Sequence, residues 1–134
     1  MSLAGAKQIL RDEKGISFAY LFGSRARKTH RKDSDWDFAC YFKHPPKDGP
    51  HGKKYHSLYW TLSKELKTDA VDIVILNFAE PLLSHQILSE GIELFCKEKV
   101  TYVDYFVRLM QKVSDSQYIL KTYLEAQKSK RYGK

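Results

Sequence analysis

Ile16-Ser17-Phe18-Ala19-Tyr20-Leu21-Phe22 runs directly into Gly23-Ser24, and after ten intervening residues Asp35-Trp36-Asp37 opens a second apolar run that ends at Phe42. The first run is short, aromatic-rich and bounded by glycines, which predicts a buried strand. Trp36 to Phe42 predicts a second. Between them, Ser24 is well typed to cap a short helix reaching about Thr29. Residues i and i+2 of a strand share a face, so Asp35 and Asp37 should project side by side. Trp36 then turns the other way, and reads as a core residue rather than a platform for a base.

Two carboxylates that close repel and raise each other's pKa unless a cation lies between them. A hard divalent ion with oxygen ligands, Mg²⁺ above all, resolves that conflict. Asp72 is the third acid, in the strand-like run Val71-Asp72-Ile73-Val74-Ile75-Leu76. A lone aspartate embedded in a buried strand costs on the order of several kcal/mol unless it is paired, hydrogen-bonded or bound to metal. If this strand lies beside the Asp35–Asp37 strand, Asp72 completes a three-carboxylate cluster; the competing reading leaves it at the strand's exposed start. Gly23 lets the backbone approach a phosphate closely, and a helix amino terminus after it offers free amide donors and a favourable dipole. Ser24 adds a hydroxyl. Arg25, Arg27 and Lys28 stand near enough to neutralise triphosphate charge, with some of them facing solvent.

The remaining elements follow from periodicity. Residues 7 to 13 predict a short helix, and Tyr55, Leu58, Tyr59, Leu62 and Leu66 place an amphipathic helix over 54–67. Pro81 opens and Gly91 closes a helix over 81–90. Ile92 to Cys96 is a candidate edge strand. Val103, Phe106, Val107, Met110, Val113, Leu120 and Leu124 repeat at three-to-four spacing, giving a long terminal helix over about 101–128. Residues 44–52, with three prolines and two glycines, predict a surface loop, with a lid or partner-binding loop as the alternative. The order of elements predicts an α/β (α+β) domain: a small mixed sheet carries the three acids on one face, helices cover the other, and the last helix packs across the sheet or extends from it.

Size and charge narrow the function classes. A chain of 134 residues, 43% hydrophobic, fits one domain spanning 1–134, with its core at about 7–96. No stretch is apolar enough for a transmembrane helix or signal peptide, so the expected compartment is the cytoplasm. Cys40 and Cys96 lack metal-binding spacing and read as small buried hydrophobes. The five histidines show no ligand spacing either. A net charge of +7 favours an anionic partner, but no basic-aromatic interleaving points to nucleic acid. Lys128, Lys130, Arg131 and Lys134 read as a solvated, frayed tail.

The run Leu21-Phe22-Gly23-Ser24-Arg25-Ala26-Arg27, followed at fixed spacing by Asp35-Trp36-Asp37, resembles the signature of the polymerase-β-like nucleotidyltransferase superfamily. More narrowly the chain resembles the minimal nucleotidyltransferases, or MNT proteins, through Asp72-Ile73-Val74-Ile75-Leu76-Asn77 and Pro81 to Gly91. The likeness covers roughly residues 16 to 96. It implies that Gly23, Ser24 and Arg25 hold the nucleotide, that Asp35 and Asp37 bind Mg²⁺ (two ions in all), and that Asp72 ligates metal or serves as general base. It further implies ATP as donor and a cognate HEPN-domain toxin as partner in a homo- or hetero-oligomer, the chain acting as an antitoxin that transfers AMP to a tyrosine of that toxin. The likeness departs at Lys28, where many members have glycine, and in the longer proline-rich loop. Two other readings stand beside it. One is a non-catalytic antitoxin that masks its partner. The other is a small-molecule transferase of the aminoglycoside type, disfavoured because a cationic substrate calls for extra acids and this chain is basic near the site.

Overall fold

The computed structural model describes residues 3–32 and 34–131. Among these described residues, four strands form one mixed sheet in the order β3-β2-β1-β4. They are β1 (Ile16–Phe22), β2 (Trp36–Phe42), β3 (Val71–Ile75) and β4 (Ile92–Cys96). β1 pairs antiparallel with β2 and β4, whereas β2 and β3 run parallel. All four fall where the sequence places them, and the apolar run of β1 is buried because it lies inside the sheet with a helical layer on each side.

One layer contains α1 (Leu3–Asp12) and α2 (Lys53–Leu66). Ala6 and Leu10 of α1, and Leu58, Leu62 and Leu66 of α2, are spaced by four and therefore share a helix face. They pack with Phe38, Cys40 and Phe42 of β2 and with Val71, Ile73 and Ile75 of β3. The other layer contains α3 (Pro81–Glu90) and α4 (Lys99–Arg131). Ile87 of α3 and Tyr105, Leu109 and Val113 of α4 cover Phe18, Tyr20, Ala39 and Tyr41 on the opposite face. Helices thus flank both faces of the sheet, not one as expected. The reason is visible in β1 and β2, whose alternate residues are apolar on both sides.

Only the first half of α4 is anchored. At 33 residues it is about 50 Å long. Beyond Val113 it carries Tyr118, Ile119, Leu120, Tyr123 and Leu124 on exposed surface. The helix continues to Arg131, so the basic tail expected to fray is helical that far; Lys134 lies outside the described residues. No described helix is long and apolar enough to cross a membrane.

Two connections bear on the site. After β3 a 3-10 turn (Leu76–Phe78) brings Asn77 back against β2. Its Nδ2 donates to the Phe42 carbonyl at 2.8 Å, and its Oδ1 accepts from the Phe42 amide at 2.9 Å. The side chain imitates one more rung of the β2–β3 ladder. The helix expected after Ser24 is instead a series of hydrogen-bonded turns, with Arg27 N–H donating to Gly23 O and Thr29 N–H to Ser24 O. It ends at Lys28, whose φ of 59° lies in the left-handed region and stops a right-handed helix. Cys40 is buried, its thiol pushed up to about 12 by that burial, while Cys96 is only half-buried. The 44–52 loop lies largely exposed at the surface.

Candidate active site

The three aspartates meet because of strand direction. β1 runs against β2, so the carboxyl end of β1 lies beside the amino end of β2, and Phe22 pairs with Asp37. β3 runs parallel to β2, so its amino end lies there too, and Asp37 is registered with Asp72. A hydrogen bond from the Trp36 amide N–H to the Ala70 carbonyl (2.8 Å) ties the entries of β2 and β3 together just ahead of that pair. Asp35 precedes the first residue of β2.

Asp37 and Asp72 belong to the sheet face that α3 and α4 cover further along, at an end those helices leave open. Asp37 is half-buried, and Asp35 and Asp72 are exposed. Asp72 is therefore not embedded in apolar surroundings, as its neighbours in sequence suggested. Val71, Ile73 and Ile75 turn into the α1–α2 layer, while β3 is an edge strand and presents Asp72 on its open face. Burial raises the Asp37 carboxyl above the usual range, the charges of Asp72 and Asp35 push it further, and Arg27 opposes them. Asp37 thus feels the charge of both other carboxylates.

Gly23 is fitted to this corner twice over. Its φ of +75° lies where a side chain is disfavoured. A Cβ there would stand 3.1 Å from Asp37 Cγ and collide with Asp37 Oδ2. The turn and the second acid consequently occupy adjoining positions, and a phosphate held by the turn would sit against the carboxylates. Ser24 is half-buried in the same turn.

Arg25 follows Ser24 in the same turn and engages the loop that leads into β2. Its guanidinium lies 3.9 Å above the Trp36 ring. Nε and Nη2 donate to the Ser34 carbonyl at 3.2 and 3.0 Å, and Nη2 also reaches the Lys32 carbonyl at 3.3 Å. Arg25 thus pins the loop that leads into Asp35. Trp36 turns away from the acids, as expected, stacks on Phe38 and packs against the α1–α2 core. Arg27 is the exposed cation whose charge reaches Asp37. Tyr55 was not singled out by the sequence reading beyond its helical spacing. Burial raises its hydroxyl pKa and the Asp72 charge adds to the effect. Only the fold brings α2 beside β3, and no local pattern carries that information.

Among the described residues, no three histidine, cysteine, aspartate or glutamate side chains already enclose a point where a metal ion would sit. The donor chemistry still fits a hard divalent cation. Asp35, Asp37 and Asp72 offer only carboxylate oxygens, and a cation would offset the burial and the neighbouring charges that together raise Asp37.

Similarity to known proteins agrees with this geometry. Among solved structures, a chain of a toxin–antitoxin complex with AMP-PNP superposes with a TM-score of 0.76 at 22% identity, covering 94% of this chain and 98% of that one. A chain of the toxin–antitoxin MntA–HepT gives 0.59 at 22% identity, covering 87% and 92%. A complex of tri-AMPylated Shewanella oneidensis HEPN toxin with MNT antitoxin gives 0.57 at 22%, covering 87% and 91%. At such identities these likenesses establish the fold. No curated protein matches in sequence. The model of the family described as polymerase beta, nucleotidyltransferase, matches residues 5–100, from α1 through β4 and including every residue of the acidic corner. The chain belongs to that nucleotidyltransferase family.

Proposed function

We propose that this chain is a Mg²⁺-dependent protein adenylyltransferase that transfers AMP from ATP to a tyrosine hydroxyl of a HEPN-domain toxin, and so serves as its antitoxin. The observation that carries the reading is the register of Asp37 with Asp72 beside the Gly23 turn. The MNT–HEPN complexes among the structural neighbours, one with an AMPylated toxin, support the choice of acceptor.

In this reading Gly23 and Ser24 bind the nucleotide phosphates, and Asp35 and Asp37, with Asp72, hold the ions. Bound Mg²⁺ supplies charge neutralisation and Lewis-acid polarisation of the phosphates. The acceptor oxygen attacks the α-phosphorus, the bond to the β-phosphate oxygen breaks, and pyrophosphate leaves. Asp72 is exposed at the open end of the sheet, where its carboxylate can take the acceptor proton as well as ligate. That openness also suits a bulky protein acceptor. Arg25 positions Asp35 by pinning its loop to Trp36.

The test is incubation of the chain with its HEPN partner, Mg²⁺ and α-labelled ATP. Label should appear on a partner tyrosine, and Asp37→Asn should abolish it. An unlabelled partner, with an active control enzyme in parallel, defeats the proposal. The exposed apolar residues of distal α4 favour a second reading, in which the chain neutralises its partner by masking. If an Asp35→Ala, Asp37→Ala variant protects cells as well as wild type, masking is the mechanism.

A further inference from the structure

On the same sheet face as the acids, but four residues (about 13 Å) along β2, lies a partly open polar pocket of about 170 Å³. That is far more than the ~10–15 Å³ one water requires. Tyr41, Asn77, Ser84, Tyr105, Arg108 and Lys112 supply its polar wall. Three of these side chains are buried, at 8% exposure for Tyr41 and Tyr105 and 1% for Ser84. None of them belongs to the proposed transfer site.

Ser84 Oγ is wholly buried and has no hydrogen-bond partner. It lies near enough to Tyr105 to influence that hydroxyl's ionisation, yet outside hydrogen-bond geometry. A buried hydroxyl left unsatisfied is costly, and such groups usually mark a missing polar occupant. The cations indicate its charge. Arg108 and Lys112 are one turn apart on α4 and both line the cavity. Arg108 Nη2 donates to the buried Tyr41 hydroxyl at 3.2 Å, which holds the guanidinium at the rim. The counter-charge is Asp104, at 3.1 Å from Arg108 Nη2, and it is largely solvent-exposed. Asn77 has its amide engaged with Phe42 and adds polarity without charge.

We propose that this cavity is a binding site for a small oxyanion of the phosphate class, with Arg108 and Lys112 balancing its charge and the Ser84 and Tyr105 hydroxyls donating to its inner oxygens. The site stands independently of nucleotidyl transfer, since it uses no residue of the acidic corner.

The experiment is calorimetric titration of the full chain with inorganic phosphate and, separately, pyrophosphate, at constant ionic strength set with chloride. Each variant's melting curve is recorded in parallel. Wild type should bind one equivalent. Ser84→Ala, which removes an unsatisfied hydroxyl and should fold at least as well, should weaken binding about tenfold. Arg108→Gln should weaken it further, whereas Asp37→Asn and the distal Lys121→Gln should leave it unchanged. Absence of binding overturns the proposal. So does binding that Ser84→Ala leaves intact, which would mark a diffuse response to positive charge. So does binding that Asp37→Asn alters, which would place the anion at the transfer site.

Discussion

Gly23→Ala separates the geometric demand at the acidic corner from ordinary stability. An alanine forced to φ +75° costs about 1–2 kcal/mol relative to its preferred conformations. Its smaller unfolded-state entropy offsets ~0.4–1 kcal/mol of that. The new Cβ also meets Asp37, 3.1 Å from Cγ and in collision with Oδ2, so the carboxylate must swing away. The charge of Asp72, registered with Asp37, resists any swing towards it. Together these effects give a net loss of about 1–3 kcal/mol, which for a domain of this size lowers Tm by roughly 3–10 °C. The catalytic loss should be disproportionate, because an ~1 Å misplacement of a reacting group costs about 10²-fold in rate. Thermal unfolding in the absence of nucleotide, alongside initial rates of label transfer at a temperature where the variant is folded, measures both. A folded Gly23→Ala protein that transfers AMP at the wild-type rate would refute the claim that this glycine is required by Asp37.

Three further outcomes follow from the same corner. Asp37 has a raised pKa, so its ionisation destabilises the metal-free fold as pH rises through the interval above its unfolded value; Asp37→Asn should raise Tm at neutral pH, with the difference vanishing in acid. Mg²⁺ with ATP should stabilise wild type only above that interval and leave Asp37→Asn unmoved, as a thermal-shift series across pH would register. Lys28→Gly relieves a left-handed lysine and should stabilise by about 0.5–1 kcal/mol in urea unfolding, the gain reduced by glycine's extra unfolded-state freedom. Arg25→Lys keeps the charge but loses the planar fork over Trp36 and onto Ser34; it should destabilise by about 1–2 kcal/mol and slow label transfer by loosening the approach to Asp35.

What the sequence disclosed depends on how local each cause is. The strands and the 54–67 and 81–90 helices were legible within a residue or so, because apolar spacing and the proline and glycine signals act within the element itself. Asp35, Asp37 and Asp72 were legible as a set from spacing and resemblance, but their exposure was not. Whether Asp72 faces a core or an opening depends on β3 being an edge strand, which is a property of the whole sheet. The short helix after Ser24 failed for a local reason of another kind, a lysine carrying a positive φ that composition does not announce. Arg25 was legible as a cation beside the Gly23 turn; which carbonyls its guanidinium reaches is settled only when the loop closes over Trp36. The hydroxyls around Ser84 come from β2, α3 and α4, and no sequence pattern joins them.

The Asn77 clasp on Phe42 has a consequence at the far end of the same two strands. Side chains alternate faces along a strand, so sliding β3 past β2 by one residue would present Val71 or Ile73 to Asp37 and turn the third acid to the opposite face. Apolar packing alone tolerates small slides; a bidentate amide that accepts only one backbone donor–acceptor pair does not. Asn77 works as the pawl of a ratchet, holding β3 at a single notch. The alignment of two carboxylates is thereby set in part by a side chain five residues downstream of one of them and outside the acidic corner.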